Sequence, residues 1–452
     1  MENILEEVRL AFISRKRYLE TELRQSMEEG KDTAPYRQRA QEIMDMEDDK
    51  EAESAAILLY EKLQKELVRP DYPYQEPEEL DRIIALFPEE KEAEPENLKD
   101  RLLGAWVGRA AGCLLGQPVE GWERERITGF AKATGNYPIQ SYMSSEISEE
   151  IRGKFQIKDY PGNYGNKMIS WVNHITCMPE DDDMNYTVMG VGIVEKYGHD
   201  FQPVDAAEFL TTNIPIFLTC TAERMAYKNI INGILPPKSA SYGNPYREWL
   251  GAQIRADGYA YINAGNPYKA AVMAVKDASV THTKNGIYAA AFCAALIAES
   301  AVADHAKEAI QCALLYIPKT SRLYVELTSF LGRWEKDADT EKLLDYIHGR
   351  FDEKNQHDWC HVIPNDMIIC LSLLNGGDDY TKVIGIAVEA GFDTDCNAAT
   401  AGSAFGMMYG IGKIPESWQA PLRGQMVTRI GSQGKVKFTE LAEACIKQRN
   451  RR

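Results

Sequence analysis

From Leu98 onward, apolar and small residues recur at helical spacing in long segments, and loops rich in Gly, Asn and Pro separate them. Residues 101–116 (RLLGAWVGRAAGCLLG), 184–198 (MNYTVMGVGIVEKYG), 285–303 (NGIYAAAFCAALIAESAVA) and 366–376 (DMIICLSLLNG) all favour helix by composition. So does CNAATAGSAFGMMYG at 396–410, where Ala399, Gly402, Ser403 and Gly406 line one face. Small side chains on one stripe let helix backbones approach closely, so this helix is expected at the centre of the fold. β-Branched runs with period-two alternation are nearly absent. The pattern predicts an all-α, compact multi-helix globule over 98–452, with long loops of the kind that carry function.

Residues 1–97 have a different texture: strongly charged, poor in glycine and helical in spacing. Leu5, Val8, Phe12, Leu19 and Leu23 fall mostly on one face, as do Ala52, Ala55, Ala56, Leu59 and Leu63. Pro70, Pro73 and Pro77 break the second helix, and Leu80, Ile83, Ile84 and Phe87 form a short amphipathic turn. EEKEAEPE (89–96) reads as an exposed linker. The segment is a helical extension that docks on the main domain, on a partner, or on a second copy as a homo-oligomer contact.

Charge narrows the partners. The 452 residues carry 51 Lys and Arg against 68 Asp and Glu, a net charge of −17, which is unsuited to a phosphate backbone, so no nucleic-acid partner is expected. The nine cysteines are odd in number and none is paired at CxxC spacing, which argues against a structural thiolate zinc site. Several sit in apolar runs, as buried free thiols do, and a reducing compartment follows. The first residues lack the basic region and long apolar core of a signal peptide, and the apolar stretch Ile287–Ala298 is too short for ~30 Å of hydrocarbon. A cytoplasmic protein without a membrane partner is expected.

Two acidic runs stand where loops enter helices: Glu180-Asp181-Asp182-Asp183 and Asp393-Thr394-Asp395. Helix capping explains one or two such acids, each favoured by ~0.3–1 kcal/mol through the helix dipole. Four consecutive acids exceed that need, and their repulsion calls for a counter-cation. Carboxylate oxygens suit hard divalent ions, so convergence of the two runs would make an Mg²⁺ or Mn²⁺ site. Spacing alone leaves capping and metal binding both open. No phosphate loop and no GxSxG or Ser-x-x-Lys signature is present, so a covalent Ser or Cys mechanism has little support.

Three segments, in order, resemble the ADP-ribosylglycohydrolase family. RLLGAWVGRAAGCLLGQPVEGW is similar to its opening helix and loop, PEDDDMNYTVMG to its T-D-D-T run, and GFDTDCNAATAGSAFG to its G-x-D-T-D-[TS]-x-A-x-x-A-G run. The resemblance covers roughly 98–447. It implies an all-α globule with two Mg²⁺ or Mn²⁺ ions that hydrolyses the bond from the ribose anomeric carbon of ADP-ribose to an arginine, serine or acetyl oxygen. By position it implies metal ligation by Asp181, Asp182, Asp393 and Asp395, and catalytic roles for Glu120 and Asp182.

Departures accompany the match. Glu180 stands where the family has a metal-binding threonine, and Asp183 replaces the second threonine of that run. Cys396 takes the place of a ligating threonine or serine, and Cys113 that of an aspartate in the opening motif. A thiol is a soft ligand and a weak one for Mg²⁺. Glu180 and Cys396 remain in the expected ligand set, but the branch is divergent, with altered metal affinity or substrate. A small glycoside or nucleoside-like substrate, or a non-catalytic ADP-ribose- or sugar-binding descendant, are the alternatives.

Further polar residues are expected in the cleft. Arg255, Asp257, Asn263, Gly265 and Asn266 are read as a turn-rich loop, with Asn266 facing substrate. His282 occupies a T-H position, and His361 and Asn365 precede the last motif. Each histidine has a hydrogen-bonded core role as its alternative. The further carboxylate of the family has no clear match here; Glu223 is a candidate, with pairing to Arg224 as the alternative. His357, Trp359 and Tyr186 are read as sugar- or base-stacking groups or, equally, as core.

Overall fold

The computed structural model describes residues 12–157, 170–432 and 434–451. Leu5 and Val8 of the first expected stripe lie outside them. The described chain is a helical assembly: α1 (Leu19–Glu28), α2 (Arg37–Met44) and α3 (Asp49–Lys65) form the extension. The main domain includes α4 (Leu98–Gly116), α5 (Asp182–Tyr197), α6 (Thr221–Ile231), α7 (Ala256–Ile262), α8 (Pro267–Ala278) and α9 (Lys284–Ser300). It continues with α10 (Val362–Gly376), α11 (Tyr380–Glu389), α12 (Thr394–Tyr409) and α13 (Phe438–Arg449). One two-stranded antiparallel ribbon, β1 (Gln425–Thr428) with β2 (Gly434–Lys437), pairs Gln425 with Lys437 and Thr428 with Gly434. Among the described residues no helix is long and apolar enough to cross a membrane.

α12 is central, and the reason is steric. α4 carries Gly104, Gly108, Gly112 and Gly116, one per turn, against Gly406, Gly402, Ala398 and the start of α12. A Cβ at Gly108 would overlap the Gly402 carbonyl, and one at Gly112 the Ala398 carbonyl. At Gly116 it would overlap the backbone of Thr394 and Asp395. The two backbones therefore touch along four turns, closer than ordinary side chains allow. Thr394 Oγ1 donates to the Gly116 carbonyl at 3.0 Å and locks the end of the seam. Tyr380 on α11 donates to the Gly108 carbonyl at 2.8 Å. α9 packs on the other side through Ile287, Phe292, Leu296 and its alanines, all buried.

The extension has a small core of its own, in which Leu19, Leu23, Ala40, Ile43, Ala52, Ala56, Leu59 and Leu63 are buried together. It joins the main domain of the same chain through apolar contacts, with Phe12 and Tyr18 against Tyr246 and Trp249 and Ile83 in the main core, and through charges. Arg247 pairs with Glu22 at 2.8 Å and with Glu29 at 2.6 Å. Arg322 pairs with Glu76 at 3.0 Å and with Glu248 at 2.7 Å. His357 Nε2 lies 3.0 Å from Glu28. The expected linker 89–96 is also tied down: the Ala93 amide donates to the Gly265 carbonyl at 2.9 Å, and Arg449 pairs with Glu94 at 2.8 Å.

Two measurements follow. Gly402→Ala should lower unfolding stability by about 1–3 kcal/mol, because the seam must open to admit a methyl group. Denaturant midpoints of the two proteins test this. Burial alone would raise the Glu29 carboxyl, but Arg247 and Lys284 outweigh it and hold it down to about 2, against an ordinary 4.5. A depressed carboxyl stabilises the fold above its unfolded value, and that contribution is lost as the pH falls from about 4.5 towards 2. Urea midpoints across that window should fall less steeply for Glu29→Gln than for the natural chain.

Candidate active site

The first acidic run is positioned from two sides. Met178 joins β1 through its amide to the Gln425 carbonyl at 3.1 Å and its carbonyl to the Val427 amide at 3.0 Å. Thr428 donates to Asn185 on α5 at 2.7 Å. Asp181 then caps α5, accepting from the Asp183 amide at 2.9 Å, while Gln117 donates to its second oxygen at 2.6 Å. Capping thus accounts for part of Asp181. It does not account for Asp393, which occupies the N-cap position of α12 without a side-chain cap bond.

The second run is delivered by the end of the glycine seam. Asn365 on α10 accepts from the Asp393 amide at 3.3 Å and from Asn397 Nδ2 at 2.7 Å. Its own amide group donates to the Trp359 and His361 carbonyls at 2.9 and 2.8 Å. It therefore fixes the loop that carries Asp393.

The two runs meet. Ligand atoms of Cys113, Asp181, Asp183 and Asp395 lie within 4.8 Å of one another, and so do those of Asp393, Asp395 and Cys396. Asp395 belongs to both groups. Asp393 is 5% exposed and Asp395 3%, yet Oδ1 of each has no hydrogen-bond partner. Buried carboxylate oxygens without donors are costly unless a cation satisfies them. Burial raises the carboxyls of Asp181, Asp393 and, more strongly, Asp395, on which the Glu120 and Asp393 charges also press. Burial together with Asp181 and Asp183 raises Asp182. The donor set fits a divalent cation, which would replace this repulsion with attraction.

One protein cation already stands behind the cluster. Arg109, wholly buried on α4, pairs with Asp183 at 2.9 Å and Asp257 at 3.0 Å and donates to the Ile254 carbonyl at 2.9 Å. It ties α4, α5 and the start of α7 together. Burial still pushes the Asp183 carboxyl up to about 8 despite that guanidinium.

The family model described as ADP-ribosylglycohydrolase matches residues 94–452. The chain belongs to the ADP-ribosylglycohydrolase family. A solved structure entitled "ADP-ribosylglycohydrolase-related protein complex" is 19% identical over 78% of this chain and 99% of that chain, with a TM-score of 0.47. No curated protein matches in the sequence comparison. The all-α class expected from the sequence is that of the glycohydrolase fold.

Within this member of the family the expected site residues fall into two sets. Asp181, Asp393, Asp395 and Cys396 are gathered in the cluster, and half-buried Asp182 lies within its electrostatic reach. Glu120, at the turn after α4, presses on Asp395 electrically. Glu180 is drawn aside: Arg429 holds it at 2.8 Å and Asn185 donates to it at 3.1 Å. His282 is fully buried, with Nδ1 2.7 Å from Thr281 Oγ1; burial and Arg255 push it well below its ordinary value. His361 caps α10 and meets Glu248 at 3.3 Å, within the network that holds the extension.

Of the turn-rich loop expected around Arg255–Asn266, residues 255–262 are instead the end of a helical turn followed by α7, whereas 263–266 do form a turn before α8, and the whole segment is buried. Its aromatic residues face the core: Tyr261 packs on Trp106 with ring centroids 5.1 Å apart, and Tyr259 stacks on Phe201 at 5.6 Å. Asn266 is committed to structure, since it caps α8 through the Lys269 amide at 3.0 Å and donates to Glu90 at 2.9 Å. Glu223 pairs with Arg255, which also holds Asp277 at 2.7 Å, while Arg224 donates to the Thr219 carbonyl at 2.8 Å. Tyr186 is buried, and His357 joins the Glu28 contact.

Sequence reasoning missed Arg109. Its signal was present: a single guanidinium amid Gly, Ala and Leu, where a charged residue is buried only when paired. Arg109→Met should cost about 3–5 kcal/mol, because Asp183 and Asp257 would keep their burial and lose their partner. Urea unfolding of the variant, with thermal melting as a second readout, checks this.

Proposed function

We propose that the chain is a metal-dependent glycosidase that cleaves an N- or O-glycosidic bond at the anomeric carbon of a ribosyl group, with ADP-ribosylated substrates as the family default. The observation that carries the reading is the convergence of two carboxylate runs, 213 positions apart between Asp183 and Cys396, on buried oxygens without donors. Family membership supports hydrolysis at the coarse level. Asp181, Asp182, Asp393 and Asp395 are the proposed ligands, with Asp183 beside them. Glu180, neutralised by Arg429, supports the cluster from outside. A divalent cation held there would bind sugar hydroxyls and acidify a water.

The chain's own groups then act on protons and geometry. As the water oxygen bonds to the anomeric carbon, Asp182 or Glu120 accepts its proton. The bond to the leaving nitrogen or oxygen breaks, and the leaving group takes up a proton. The sugar passes through an oxocarbenium-like state, which neighbouring carboxylate charge stabilises. Asn365 and the glycine seam keep Asp393 and Asp395 in place throughout.

The experiment is a release assay with ADP-ribosyl-arginine protein, O-linked ADP-ribosyl protein and simple ribosides, each with Mg²⁺, Mn²⁺ or EDTA. Metal-dependent release is expected from at least one. Asp393→Asn and Asp395→Asn should lower it by about a hundredfold or more. A melting shift on adding ADP-ribose without turnover would instead identify a binding protein. No release and no metal effect on melting would remove the proposal.

A further inference from the structure

The two ligand groups have a feature that an oxygen-only centre lacks: each contains one sulfur. Cys113 Sγ lies within 4.8 Å of carboxylate oxygens of Asp181, Asp183 and Asp395, and Cys396 Sγ within 4.8 Å of those of Asp393 and Asp395. Cys396 Sγ also lies 3.3 Å from Asp183 Oδ2. Ligands bound to one ion at about 2.0–2.3 Å stand up to roughly 4.5 Å apart, so small movements bring each group onto a single ion. Asp395, common to both groups, sits where a bridging carboxylate would. Asp393 and Asp395, whose ligand atoms lie within 4.8 Å of each other, each keep one buried carboxylate oxygen without a hydrogen-bond partner.

We infer that Cys113 and Cys396 are thiolate ligands, one in each half of a two-ion centre, and that the centre selects a sulfur-tolerant divalent ion of the Zn²⁺ or Co²⁺ type over Mg²⁺. The inference rests on the metal-dependent reading above and specifies its ion. Mg²⁺ takes hard oxygen ligands and gains little from sulfur, whereas Zn²⁺ binds thiolate and carboxylate together. On binding, each S–H bond breaks as a metal–sulfur bond forms, and the proton leaves to solvent. No electron is transferred. The spacing rule that argued against zinc concerned thiolate pairs close in sequence. Here the two thiols come from helices α4 and α12 and are brought together by the glycine seam. Cys360 is a nearby contrast, 3.9 Å from Asp393 Oδ2 but outside both groups.

The test uses metal-free full-length protein titrated with Co²⁺. A near-ultraviolet thiolate-to-cobalt charge-transfer band is expected. It should fall by about half in Cys113→Ser and in Cys396→Ser, and vanish in the double variant. Cys360→Ser and Cys312→Ser should keep it in full. Competition calorimetry should place Zn²⁺ at least about a hundredfold tighter than Mg²⁺, with about a tenfold or greater loss of Zn²⁺ affinity in each of the first two variants. The band in the unmodified chain stands as evidence even where a variant fails to fold.

Co²⁺ that raises the melting temperature without a sulfur band would overturn the thiolate assignment and leave the metal centre standing. Loss of the band in Cys360→Ser or Cys312→Ser would also overturn it. If Co²⁺, Zn²⁺, Mn²⁺ and Mg²⁺ all leave the melting temperature unchanged, both this inference and the functional reading fail.

Discussion

The approach of α4 to α12 sets the position of everything that matters chemically. Backbone touches backbone at Gly104, Gly108 and Gly112, so the relative height of the two helices has no slack. That contact puts Cys113 and Gln117 level with the first turn of α12, where Asp393, Asp395 and Cys396 begin. A larger residue in the seam would move both sides of the cluster apart, because no side chain lies between them to absorb the change. The first turns of α5 and α12, with the loop residues that lead into them, therefore hold the carboxylates against this rigid seam.

Electrostatics opposes this arrangement. Five carboxylates, Asp181, Asp182, Asp183, Asp393 and Asp395, crowd into a region from which water is largely excluded, and the fold supplies one buried guanidinium, Arg109, against them. Arg109 also reaches Asp257, so its charge is shared. The described residues thus gather more acidic groups at this site than buried bases to meet them. The hydrophobic packing of α9, α10 and α12 around the site is extensive.

Much of this was legible from residue order. The small-residue stripe of 396–410 announced a close helix contact, and the two acidic runs left capping and a shared cation both open. What the stripe could not show was its mate: the four-residue glycine spacing of 104–116 is weak evidence for packing until the facing glycines are known. Residues 255–262 misled because Asp257 and Gly258, with the Gly, Asn and Pro that follow, suggest turns, whereas Tyr259, Tyr261 and Ile262 bury this part as helix; the turn itself is confined to 263–266. Asn266 and His361 were read as cleft residues from their places relative to the family's motifs; their partners, Glu90 and Glu248, lie 176 and 113 positions away. Glu180 was assigned with its neighbours, and Arg429, just past the first strand of the ribbon, holds it together with Asn185. Long-range ion pairs of this kind leave no local pattern.

The charge network of the extension has a bearing on synthesis. Glu22, Glu29 and Glu76 leave the ribosome well before Arg247 and Arg322, 246 residues separating Glu76 from Arg322. At about 5–20 residues per second the interval is roughly 10–50 s. During it the small helical core of the extension is held only by contacts within itself, and the acids of the later clasp lack their basic partners. Those acids keep the nascent segment highly charged and hydrated, which disfavours early association with other chains, and the same side chains become the clasp once the basic partners emerge.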